Sequence, residues 1–99
     1  CASDVIFLME RLDILKTEVV SFPETKVSER SVAEDFDFAR EKIDDVEKYC
    51  EVDLAVVREK LDYAHDFWRR GNYRDSFGEV HHGELIVRNK ILRGRGGEK

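Results

Sequence analysis

A chain of 99 residues with a net charge of −5 fits one domain with one hydrophobic core. Its 41% hydrophobic content excludes wholesale disorder, and no run nears the roughly 18 apolar residues of a membrane-crossing helix. The charge is uneven: residues 1–56 carry 7 Lys/Arg against 15 Asp/Glu, a balance of −8, while residues 57–99 carry 10 against 7. That acidic half argues against whole-surface binding of nucleic acid or membrane and leaves room only for a local basic patch.

Few breakers, many charges and regular apolar spacing predict an all-α chain. Ser3 can cap a first helix near 4–20, whose stripe is Val5, Leu8, Leu12, Leu15 and Val19. Phe7 and Ile14 lie off this stripe, seven residues apart, and are candidate interface residues. Residues 21–30 read as a loop, with Phe22 held out of the α region by Pro23. Ser31 and Glu34 fit a capping box for a second helix near 31–51, with the stripe Val32, Phe36, Ala39, Ile43, Val46 and Cys50.

Asp53 can cap a third helix near 54–70, whose stripe is Leu54, Val57, Leu61, Ala64 and Trp68. Nothing between Cys50 and Leu54 is a firm breaker. The alternative is therefore three helices in a dimer, with 31–70 as one long helix containing a stutter. Arg69-Arg70-Gly71-Asn72 reads as a helix stop, a left-handed corner and a new cap. The fourth helix, near 72–93, carries Tyr73, Phe77, Val80, Glu84, Val87 and Ile91 on one stripe. The expected architecture is an up-and-down four-helix bundle forming a single domain over 1–93, with a flexible tail at 94–99.

Two cysteines allow one bridge, Cys1–Cys50, if the first two helices run antiparallel. A core Cys50 and a frayed, free Cys1 is the preferred reading. No secretory signal is evident, since the charge at Asp4 precedes only a short apolar run, Val5 to Met9, and a cytoplasmic location is expected.

Glu84 sits mid-stripe, where an unpaired carboxylate is costly. His81 and Arg88 neighbour it at i−3 and i+4, and antiparallel packing could bring His65 and Arg58 close. Arg58, His65, His81, Glu84 and Arg88 are thus candidate binding residues for a metal or small anion. The plainer reading pairs Glu84 with Arg88 and leaves the histidines at the rim. Glu79-x-x-His82 is half of a di-iron pattern, and its residues point off the stripe. Arg93-Gly-Arg-Gly-Gly resembles a short RGG element, which makes RNA a candidate partner. No metal or other cofactor is expected, and no nucleophile–base pair or phosphate loop is legible.

The segment Tyr63-Ala-His-Asp-Phe-Trp-Arg-Arg-Gly-Asn-Tyr-Arg-Asp-Ser-Phe77 resembles the C-terminal hairpin of a small archaeal helical-bundle family of uncharacterised function. Its pattern is Ala-x-x-Phe-x-x-x-Gly-(Asp/Asn)-Tyr-x-x-(Ala/Ser)-Phe. The quoted segment is 15 of the 99 residues, and the likeness implies a fold more than an activity. The same hairpin resembles HEPN domains, whose signature is Arg, four to six residues, then His. By that resemblance His81 would be the acid–base residue and Arg74 would stabilise phosphate charge, in an RNA-cleaving site formed across a dimer. The function expected first is a non-catalytic interaction or oligomerisation module, with a protein partner or a second copy bound through Phe7 and Ile14.

Overall fold

The computed structural model describes residues 1–24 and 27–97, with side-chain surroundings given through Ile91, Pro23 apart. Among the described residues four helices follow in order, α1 Ala2–Ser21, α2 Glu29–Cys50, α3 Ala55–Arg69 and α4 Tyr73–Gly97, and a 3-10 turn at Phe22–Glu24 keeps Phe22 in the α region despite Pro23. They pack as an up-and-down bundle in which α1 lies between α2 and α4 and α3 closes the ring. The molecule measures 46 × 19 × 18 Å.

The apolar stripes meet on the bundle axis. Leu8, Leu12, Leu15 and Val19 of α1 are fully buried, as are Val32, Phe36, Ala39, Ile43 and Val46 of α2. Val57, Leu61 and Ala64 of α3 join Val80 and Val87 of α4. Each stripe recurs at three and four residues, so each helix presents one face inward. At one end Trp68 packs edge-on against Phe22, with ring centroids 5.4 Å apart.

Helix ends account for the main differences from expectation. The chain does not run on as one helix through residues 31–70. Glu51 takes the left-handed conformation, φ 53°, and ends α2. Glu47 reaches past the corner to accept a hydrogen bond from the Leu54 N–H at 2.7 Å, and Asp53 accepts from the Ala55 N–H at 3.0 Å. These bonds satisfy amide groups freed at the start of α3, which a break in the apolar register alone does not reveal. Ser28, not Ser31, caps α2: its side chain accepts from the Ser31 N–H at 3.1 Å. α1 begins at Ala2, so Ser3 is already inside the helix.

The α3–α4 corner follows its sequence signal. Gly71 has φ +84°, the Asn72 N–H donates to the Phe67 carbonyl at 2.8 Å, and the Gly71 N–H donates to the Trp68 carbonyl at 3.0 Å. This pair of bonds is a Schellman motif, and glycine carries its left-handed residue without a Cβ penalty. α4 continues to Gly97, past the expected end at 93. Residues 98 and 99 of the expected tail, and the side chains of the Arg-Gly element at 93–97, lie outside the described residues.

The free-cysteine expectation is corrected. Cys1 and Cys50 form a disulfide with a Cα–Cα distance of 5.1 Å. Antiparallel packing of α1 on α2 places the start of one helix beside the end of the other. Cys1 is exposed and Cys50 only half-buried, so neither belongs to the core.

Candidate functional site

The five polar candidates do not converge. Arg58 projects from α3 toward α2, where it pairs with both Asp44 and Glu47. His65 also faces α2. It is buried, stacks on Phe36 with centroids 4.4 Å apart, and its Nδ1 lies 3.1 Å from Arg40 Nη2. Burial first, then the nearby Arg69 and Arg40 cations, hold its pKa below the ordinary value. A neutral histidine that accepts from Arg40 fits this site.

His81 and Glu84 face the other way, toward α1. Glu84 is 8% exposed and accepts from Lys16 Nζ at 2.6 Å. The half-exposed His81 places its Nδ1 3.6 Å from the same carboxylate and stacks on Phe77. The Glu84 bond is the main cause that raises the pKa of Lys16. Glu84 therefore pairs with a cation from a different helix and not with Arg88. Arg88 stands exposed beside an open apolar cleft of about 260 Å³ lined by Val5, Met9 and Ile91. His65 and His81 part company because α3 turns one side to α2 while α4 turns its flank to α1. Among the described residues no three His, Cys, Asp or Glu side chains cluster as metal ligands would. Arg74 is exposed on α4, two turns from His81 along the same side.

The ionisable groups that do meet are mostly paired one with another. Arg58 answers Asp44 and Glu47, Arg40 answers Asp37 and Asp62, Lys60 answers Glu79, and Lys16 answers Glu84. Glu47 is held below its usual pKa chiefly by Arg58, then by the Leu54 amide.

The outer seam between α1 and α2 is different. Phe7, Arg11, Ile14 and Glu18 form one row on α1, and Asp35, Phe38, Lys42, Asp45 and Tyr49 form one on α2. Phe7 is 53% exposed, Phe38 45%, Ile14 41% and Tyr49 58%. Lys42 Nζ lies 5.5 Å from the Phe7 ring centre and 5.7 Å from that of Phe38, and the Arg11 guanidinium covers Phe38 at 5.1 Å. Asp45 pairs with Lys42 at 3.4 Å. At the other end of the seam Glu18 faces Asp35. The Oε1 atom of Glu18 is shielded from solvent and has no hydrogen-bond partner. Burial first, then a side-chain hydrogen bond with Asp35 and the charge of Asp35, push Glu18 up to about 7, while Arg11 on its own helix pulls the other way.

The spacing of Phe7 and Ile14 gave half of this face. Phe38 was missed, since only the α1–α2 register sets it beside Phe7. Comparison of the chain with family models, curated proteins and solved structures found no match. No helix among the described residues is long and apolar enough to cross a membrane.

Proposed function

We propose that the protein is a non-catalytic helical interaction module that binds its partner through the outer face of the α1–α2 hairpin. The observation that supports it most is the row of exposed Phe7, Ile14, Phe38 and Tyr49 on one seam of the bundle. Exposed apolar residues are ordinary, and Ile6, Val20, Val56, Tyr63 and Leu85 are also exposed, but Phe7, Ile14, Phe38 and Tyr49 share one seam, interleaved with charge, as interface residues do. Cations stacked on Phe7 and Phe38 keep the strip soluble when it is unpartnered. The disulfide fits an oxidising compartment better than a reducing one, so we set that location against the cytoplasmic expectation.

The test is a concentration series by light scattering, joined to partner capture, with Phe7→Ser/Phe38→Ser as control. Association should weaken by about tenfold or more in the variant while helicity holds. A monomer that captures nothing, or an association indifferent to the variant, contradicts the reading.

A second reading rests on Arg74 and His81, which share one side of α4 with His81 half-exposed. It makes the protein an RNA-cleaving or RNA-binding domain of HEPN type. RNA cleavage lost in both His81→Ala and Arg74→Ala would establish it, and unchanged cleavage in either would remove it.

A further inference from the structure

We infer that the partner of the α1–α2 face is a second copy of this chain, bound antiparallel across a two-fold axis that crosses the face beside Ile14 and Phe38. The inference rests on the interaction-module reading and adds the occupant and its orientation.

Charge along the seam carries the argument. Arg11 and Lys42 stand toward one end, where Asp45 answers Lys42 and Arg11 has no carboxylate within ion-pair distance among the described residues. Glu18 and Asp35 stand toward the other end, two carboxyl groups side by side. The face therefore carries the cation Arg11, unpaired among the described residues, on one side of Ile14 and Phe38 and a carboxyl pair on the other, with Phe7 and Tyr49 lying beyond the cation.

A two-fold axis in the plane of the face can run along the helices or across them. Along the helices, it would set like ends together: Arg11 near the partner's Lys42, and four carboxyl groups in one place. Across the helices, it reverses direction and lays each Arg11 end over the partner's Glu18–Asp35 end. Opposite charges then meet twice, while Ile14 and Phe38 lie near the axis and pack against their own copies. Like-charge juxtaposition disfavours the first arrangement, and complementarity selects the second. The half-buried Glu18–Asp35 pair, which shares a side-chain hydrogen bond within the protomer, gains in this arrangement a cation that its own protomer does not place within ion-pair distance.

Charge reversal with mixing tests this. Arg11→Glu alone and Glu18→Arg alone should each weaken the homodimer by about tenfold or more in sedimentation equilibrium. A one-to-one mixture of the two variants should regain dimer, because the mixed pair opposes charges at both ends. No loss of fold within one protomer could be repaired by mixing. A dimer untouched by either reversal but lost in Phe7→Ser/Phe38→Ser overturns the antiparallel geometry and leaves the interaction module standing. A chain still monomeric at about 1 mM overturns the second copy as partner. The module reading fails separately, if partner capture is also indifferent to Phe7→Ser/Phe38→Ser.

Discussion

Two glutamates on the flanks of α1 meet opposite fates. On the α4 side, Glu84 is 8% exposed and sits 2.6 Å from Lys16. On the α2 side, Glu18 has a shielded oxygen, and its neighbour is another carboxyl, Asp35. The first seam resolves its charge inside the protomer. The second holds a proton between two carboxyl groups below about pH 7 and lines the same strip with exposed aromatic rings. An ion pair completed within the fold needs nothing further, whereas a carboxyl pair beside an apolar strip is relieved within the protomer only by holding a proton.

Reduction of the disulfide should have the largest effect. The α1–α2 seam is tied covalently across a separation of 49 residues, and the chain-entropy account of such a closure gives about 4 kcal/mol. Denaturant unfolding with and without reductant measures it. A loss near zero would mean that packing alone holds this seam.

Lys16→Ala breaks the other seam. It strands a buried carboxylate, so a loss of about 3 kcal/mol is expected. The paired change Lys16→Met/Glu84→Leu should recover most of that. If the single and double variants are equally unstable, Glu84 was not relying on Lys16.

Glu18→Gln should act in the opposite sense. The folded-state pKa of about 7 lies above the ordinary 4.5, so the folded protein holds an extra proton between those values. The stability linked to Glu18 is complete below about pH 4.5 and is lost as pH rises to about 7. Removing the charge should therefore stabilise the dilute protomer at pH 8 by about 1 kcal/mol, allowing for solvent screening, and leave it unchanged at pH 4. Thermal unfolding at the two pH values reads the difference. The smallest stability effect belongs to Phe7→Ser/Phe38→Ser. Both rings are half in water, so dilute stability should move by about 0.5 kcal/mol or less even as association is lost.

The four stripes, the Gly71 corner and the bundle were legible because each is a property of one helix or one turn. Spacing of three and four residues names the inward face without knowledge of the neighbour. What crosses between helices was not legible. Lys16 and Glu84 are 68 residues apart, and reading along α4 alone offers only Arg88 as a partner. Phe38 joins Phe7, and Asp35 joins Glu18, through the α1–α2 register. The break at Glu51 was hidden for a related reason: its left-handed residue is not a glycine, and the cap that supports α3 comes from Glu47, seven residues before Leu54.

The dimer dissociation constant of the unaltered chain at pH 6 and at pH 8 tests the antiparallel pairing through Arg11 and Glu18 most directly. Net charge becomes more negative over that interval, so general repulsion would loosen any self-association. An antiparallel dimer should do the reverse. A partner's Arg11 draws the proton from Glu18, dimer formation releases protons, and affinity should tighten by about tenfold toward pH 8. A dimer that loosens toward pH 8, or no dimer at either pH, would contradict it.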